Sequence, residues 1–269
     1  MRVSATRVPR VPPRGKVVAV GILRCVQATD RQGALGVPPL EPTVRLAWIL
    51  RFGANPMNRR ARRGPQRNNL NGNAPDQCQV ALLLIDVIND LEFEGGERLA
   101  RHARPIAKHL ADLKRRAHVA RVPCIYANDN YGRWRSDFSA QVEHCLSGGR
   151  RGAFLAEALH PAPHDYFVLK PMHSGFYQTC LELLLNHLGT RTLIVGGIAT
   201  DNCVNFTSND AYIRGYRLVL LSDGCASIDP RAHRASLSQM ERLLHARTAH
   251  CREIVFTRKG DGIGFRKTR

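Results

Sequence analysis

From residue 79 onward, short continuous apolar runs alternate with longer segments of helical period. The runs are Val80–Ile85, Val122–Ala127, Tyr166–Leu169, Thr192–Gly196, Leu218–Leu221 and Glu253–Phe256. Unbroken rather than alternating hydrophobicity means that both faces of a strand are buried, as in a parallel sheet covered by helices on each side. Between the runs, Ile106, Leu110, Leu113 and Ala117 recur at steps of four, three and four, which gives one apolar stripe on a helix. Pro105 is expected to start or kink that helix rather than sit inside it. Thr179-Cys180-Leu181-Glu182 reads as a capping box, and Gly189 stands where a C-terminal glycine belongs. Asp229-Pro230 offers an N-cap and a first-turn proline ahead of Leu237, Met240 and Leu244. No internal repeat interrupts this order. The expected fold is a doubly wound α/β domain with a mainly parallel, six-stranded sheet and helices on both faces.

Composition changes the picture at the ends. Residues 1–78 hold 14 Lys+Arg against 3 Asp+Glu, with proline clusters and the run Asn58-Arg59-Arg60-Ala61-Arg62-Arg63. The remainder holds 26 basic against 19 acidic residues, so the basic excess belongs mostly to the first segment. Three domains are expected: a basic, Pro/Arg-rich and disordered extension over 1–78, a folded domain over 79–258, and a basic tail over 259–269. Arg outnumbers Lys 34 to 6, as GC-rich coding produces. The extension is therefore read first as a plain disordered tail or as translation upstream of a start at Met57. A transit segment ranks second and a nucleic-acid arm third. Val44–Leu50 is too short to span a bilayer, so no membrane partner is expected. Eight scattered cysteines without C-x-x-C and without a secretory segment point to free thiols and the cytoplasm.

In open parallel sheets the active site lies outside the carboxyl ends of the strands. The first polar residues there are Asp86, Asn128-Asp129-Asn130, Lys170, the turn from Gly196 to Cys203, and Ser222-Asp223. A carboxylate, an amine and a thiol thus converge on one rim. Thr200 is expected to cap a helix over Cys203–Arg214, placing the Cys203 sulfur where the helix dipole and Lys170 favour thiolate. Asp86 is then the general base, and the Gly-Gly-Ile-Ala turn supplies N–H groups for an oxyanion hole. The competing structural reading makes Cys203 a small buried hydrophobe and Asp86–Lys170 a plain salt bridge. Cys124, Cys180 and Cys225 are read as packing, with Cys225 the nearest rival on the rim.

Leu84-Ile85-Asp86-Val87-Ile88-Asn89-Asp90, Leu169-Lys170-Pro171 and Gly197-Ile198-Ala199-Thr200-Asp201-Asn202-Cys203-Val204 together resemble the isochorismatase-like cysteine hydrolases over about residues 80–257. The resemblance implies a Rossmann-like domain that oligomerises and a catalytic triad of Asp86, Lys170 and Cys203. It also implies a cis peptide at Ile198–Ala199 and an oxyanion hole built from the backbone N–H groups of Ala199 and Cys203. Ile88 and Leu91 replace a glutamine and a phenylalanine frequent in the family, so the pocket beside Asp86 differs. The family's nicotinamidases carry Asp-x-His after strand two; here Asp129-Asn130-Tyr131 lacks the histidine. No metal and no cofactor are therefore expected, and nicotinamidase is disfavoured. A thiol nucleophile favours cleavage of a C–N bond in a small amide, imide or carbamoyl compound through a covalent thioester. Asn128, Tyr131 and Trp134 are the candidate substrate-binding residues, in a segment that also carries Arg133 and Arg135. Trp134 and Phe138 fit a subunit interface equally well. The alternative function is an oligomeric binding protein whose Arg-rich tail contacts nucleic acid or anionic partners, with nucleic acid ranked low.

Overall fold

A computed structural model describes residues 77–132, 137–257 and 262–266. The extension before residue 77, the tail beyond 266 and Trp134 with its neighbours Arg133 and Arg135 lie outside the described residues.

Six parallel strands form the main sheet: β1 (Val80–Ile85), β2 (Cys124–Asp129), β3 (Tyr166–Lys170), β4 (Thr192–Ile198), β5 (Arg217–Ala226) and β6 (Arg247–Ala249). Their order is β3-β2-β1-β4-β5-β6, so the chain winds outward first on one side of β1 and then on the other. Helices α1 (Gly96–Ala120), α2 (Phe138–Leu146) and α3 (Ala153–Ala158) cover one face; α4 (Leu181–Leu188), α5 (Cys203–Ile213) and α6 (Pro230–Leu244) cover the other. Successive side chains of β1 supply both layers. Val80, Leu82 and Leu84 pack with Leu110 and Leu113 of α1, whereas Ala81, Leu83 and Ile85 pack with Leu185 of α4 and Val204 of α5. All six residues are buried, which is why this strand reads as a solid apolar run.

Several local expectations are corrected. Pro105 lies inside α1, ten residues into a 25-residue helix, where burial of the stripe from Leu99 to Ala117 outweighs the lost hydrogen bond. The N-cap of α4 is Cys180 without a side-chain cap; the Thr179 hydroxyl instead donates to the Gly175 carbonyl (2.5 Å) and accepts from the Leu181 N–H (3.2 Å). Gly189 does close α4 with φ of 71°, and Asp229 caps α6 through the Arg231 N–H with Pro230 in the first turn. The sixth strand of the sheet is Arg247–Ala249. The run ending at Phe256 forms β7 (Ile254–Phe256), which pairs antiparallel with β8 (Ile263–Phe265) in a separate hairpin. Phe265 lies under the Arg247 guanidinium, 3.3 Å from the ring centroid, so folded structure continues beyond residue 258 into the segment expected to be tail. No helix among the described residues is long and apolar enough to cross a membrane.

One close approach fixes the centre of the sheet's carboxyl edge. Gly197 has φ of 128°, and a Cβ there would fall 2.0 Å from the Ile85 carbonyl oxygen. Only glycine lets β4 run this near β1 at the point where both strands deliver their polar ends.

Candidate active site

Asp86 is the first residue after β1 and adopts a left-handed backbone (φ 49°), which turns its carboxyl back across the strand ends. The Asp129 N–H at the end of β2 donates to Asp86 Oδ1 at 2.7 Å, holding that orientation. Lys170, the last residue of β3, has a fully buried side chain whose Nζ lies 2.9 Å from Asp86 Oδ2. The same ammonium reaches Cys203 Sγ at 3.6 Å, Asp129 Oδ2 at 3.7 Å and the Met172 carbonyl at 3.3 Å. The Asp86 carboxyl also interacts with the Cys203 thiol. The three residues singled out from the sequence therefore meet in one cluster, each delivered by a different element.

Cys203 is the first residue of α5. Thr200 does not cap that helix: its hydroxyl is bonded to His233 Nδ1 at 2.8 Å, and the N-cap residue, Asn202, makes no side-chain cap. The turn is closed by backbone instead, with the Ala199 carbonyl accepting from the N–H groups of Asn202 (3.0 Å) and Val204 (3.1 Å). The Cys203 N–H lies between those two along the chain and takes no part in either bond. The Ile198–Ala199 peptide is cis.

The electrostatics correct a second expectation. Burial, reinforced by the Asp86 carboxylate, pushes the Cys203 thiol up to about 12, against the opposing pull of Lys170. Desolvation beside a carboxylate thus favours the protonated thiol, against the pull of the helix N-terminus and the ammonium toward thiolate. Burial likewise raises Asp86 above the usual carboxylate range, although Lys170, the thiol and the Asp129 N–H favour its charged form. Lys170 is held above its ordinary value by Asp86, Cys203 and Asp129, despite its own burial, and so stays an ammonium. The cluster brings together a cation and two groups, a carboxyl and a thiol, whose proton affinities are both raised.

The remaining sequence candidates fall in different places. Asn128 is fully buried, its amide donating to the Ile88 carbonyl at 2.6 Å. The Tyr131 hydroxyl donates to that same carbonyl at 3.3 Å while the residue stays partly exposed beyond β2. Cys225 is not after a strand but inside β5, buried, with its thiol directed at the Val195 carbonyl. Two contacts escaped the sequence reading. Asp129 braces both Asp86 and Lys170, and its position among the first polar residues after the apolar run Val122–Ala127 was the available signal. The second is the His173 imidazole, with Nδ1 3.8 Å from Cys203 Sγ. Among the described residues, the one group with metal-ligand types in reach of one another is His118, His164 and Asp165, which belongs to the opposite edge of the sheet.

With that geometry in place, the likenesses to other proteins become informative. The isochorismatase domain profile matches residues 80–252, from the first residue of β1 through β6. The chain is 38% identical over 179 residues to the uncharacterized isochorismatase family protein YaaI of Bacillus subtilis (strain 168), covering 66% of this chain and 98% of that protein. It is 39% identical over 190 residues to the ureidoacrylate amidohydrolase RutB of Acinetobacter baylyi, covering 61% of this chain and 77% of that one. Among solved structures, nicotinamidase/pyrazinamidase PncA of Bacillus subtilis superimposes with a TM-score of 0.51 at 26% identity, covering 64% of this chain and all of that one. Fold, matched residues and relatives agree, and the chain belongs to the isochorismatase family of hydrolases.

Proposed function

We propose that the chain is a cysteine amidohydrolase that cleaves a C–N bond of a small amide, imide or carbamoyl compound through a thioester on Cys203. The observation that carries this reading is the contact cluster itself: Asp86 to Lys170 at 2.9 Å and Lys170 to Cys203 at 3.6 Å, at the carboxyl ends of three parallel strands. Because burial favours the protonated thiol, nucleophile and base work in one step. Asp86 takes the proton as Sγ attacks the carbonyl carbon, and the buried Lys170 ammonium keeps the carboxylate and the emerging thiolate from facing each other uncompensated. The carbonyl oxygen becomes an oxyanion that the N–H groups of Ala199 and Cys203 receive, at the positive end of α5. Collapse expels the amine, which takes the proton from Asp86 and leaves the acyl group on sulfur. Water then releases the acid.

The likeness to a ureidoacrylate amidohydrolase supports the carbamoyl class. Tyr131 occupies the place of the histidine that the metal-dependent nicotinamidases of the family require, which disfavours that branch. We place Tyr131 on the substrate side of Asp86, with Asn128 behind it as a brace. Homo-oligomeric assembly fits the exposed apolar side chains Leu183 of α4 and Ile213 of α5. A reducing, cytoplasmic location fits the thiols of Cys124, Cys145, Cys180, Cys203, Cys225 and Cys251.

The test is a panel of small amides, ureas and carbamoyl acids assayed for ammonia and carboxylate release. At least one compound should turn over, and Cys203→Ala should abolish its turnover. Undiminished activity of Cys203→Ala, with iodoacetamide labelling another cysteine in the active protein, would overturn the assignment.

A further inference from the structure

Once Cys203 is acylated, its thioester must be attacked by water, and a group has to take that water's proton. Asp86 is poorly placed for this second task. It is almost fully buried, with Oδ2 against Lys170 at 2.9 Å and Oδ1 accepting the Asp129 N–H at 2.7 Å. Within reach of the same sulfur is His173, an exposed residue whose Nδ1 lies 3.8 Å from Sγ.

The imidazole is held there by its neighbours. The segment after β3 is fastened to α5 by two bonds, Ser174 Oγ to Asp210 Oδ2 at 2.5 Å and the Gly175 N–H to Thr207 Oγ1 at 3.0 Å. The His173 ring then stacks on Phe206, one turn along α5 from Cys203, with centroids 5.3 Å apart and planes inclined at 29°. The charged or titratable groups around this side of the cluster are Lys170, Asp86, Asp129, Cys203 and, through Ser174, Asp210. His173 is thus an exposed, oriented nitrogen base beside the nucleophile.

We propose that His173 is the residue that activates water for hydrolysis of the thioester, an inference that rests on Cys203 being the nucleophile. Nδ1 takes a proton from the incoming water as its oxygen bonds to the thioester carbonyl carbon. The carbonyl electron pair moves onto the oxygen held by the backbone N–H groups. When the carbonyl re-forms, the C–S bond breaks with its pair on Sγ, and the imidazolium returns the proton to sulfur. The acid leaves, and the thiol and the neutral imidazole are restored.

The full-length chain acylated by p-nitrophenyl acetate separates the two half-reactions without knowledge of the natural substrate. Nitrophenolate appears in a burst as Cys203 is acetylated and then at the rate of deacetylation. His173→Gln should keep the burst and slow the second phase about a hundredfold. Intact mass should then show acetyl-enzyme accumulating. His173→Phe, which preserves the stacking on Phe206, should behave alike, and free imidazole should speed the second phase of His173→Ala. A second phase as fast as that of the wild type in His173→Gln and His173→Phe overturns the proposal, as does loss of the burst in folded variants or failure of imidazole to rescue. A different result marks failure of the nucleophile assignment: no burst in the wild-type chain, or one that persists in Cys203→Ala.

Discussion

Among the described residues the same three residue types meet in electrostatic contact twice, once at each edge of the sheet. At the carboxyl edge are Asp86, Lys170 and Cys203. At the amino edge are Asp165, just before β3, Lys114 of α1 and Cys124, the first residue of β2. Both lysine–aspartate pairs are buried and both span 2.9 Å. Both thiols are raised by the same causes in the same order, burial first and then the carboxylate, with the lysine opposing. The difference lies in what else each group touches. Asp165 accepts the Ala162 N–H at 2.7 Å and is bonded to His118 Nε2 at 2.7 Å. Lys114 donates to the His160 carbonyl at 2.5 Å and lies over the Tyr126 ring. Cys124 is directed at the Val122 carbonyl and has no access to solvent. The second set is a saturated structural clamp. In the first set Lys170 touches the sulfur itself, and the sulfur stands at a helix N-terminus with the His173 imidazole 3.8 Å away. What sets the carboxyl-edge group apart is therefore the direct contact of its lysine with sulfur and the place of that sulfur at a helix N-terminus.

Exchanging substitutions between the two sets should split activity from stability. The largest effect is expected at sulfur: Cys203→Ala should lower kcat/KM at least about a thousandfold, as loss of a nucleophile does. Cys124→Ala should leave kcat/KM near the wild-type value, measured on whichever compound of the amide panel turns over. Next come the carboxylates. Asp86→Asn removes the base and should cost about 10²–10⁴-fold in turnover. Asp165→Asn should leave turnover per folded molecule intact but destabilise the fold by about 3–5 kcal/mol, because the buried Lys114 loses its counter-charge. Urea denaturation of the two variants beside the wild type checks both. Equal loss of activity from the two asparagine variants would erase the distinction between clamp and site.

This distinction was only half visible in the sequence. The carboxyl edge was legible because strands buried on both faces read as solid apolar runs, and the first polar residue after each run had to lie on the rim. That logic located Asp86, Lys170 and Cys203. It could not find the second set, because Lys114 looks like any polar residue of an amphipathic helix until α1 is packed against the start of β2. His173 was hidden for a related reason. It lies on a loop whose path is decided by the bonds of Ser174 and Gly175 to α5, and three-residue spacing from Lys170 carries no hint of them. The edge strand Arg247–Ala249 escaped because three residues, two of them polar, make no hydrophobic run. Thr200 was misassigned because its hydroxyl had two available partners, and a histidine 33 residues away won over the local N–H groups.

In one respect the two thiols should behave alike, and this gives the finest test of the comparison. Burial raises Cys124 well above the ordinary range, Cys203 and Cys225 to about 12 and Cys145 to about 11, from an unperturbed 9.0. In the unfolded chain these thiols lose their protons from about pH 9, whereas in the folded chain they keep them. The folded state then binds more protons than the unfolded state, so the slope of unfolding free energy against pH is negative. The contribution of each thiol is fully present below pH 9 and is lost as pH rises toward its folded value. One unit above its unfolded value a single thiol contributes about 1.4 kcal/mol to that loss. Melting temperatures followed from pH 8 to pH 10 should therefore fall steadily in the wild type. Cys203→Ala and Cys124→Ala should each flatten the decline by a similar amount, although only the first removes activity. A decline unaffected by Cys203→Ala, but flattened by Cys124→Ala, would mean that the Cys203 thiol already ionises near its unperturbed value in the folded protein. Attack would then start from a standing thiolate rather than from proton transfer to Asp86.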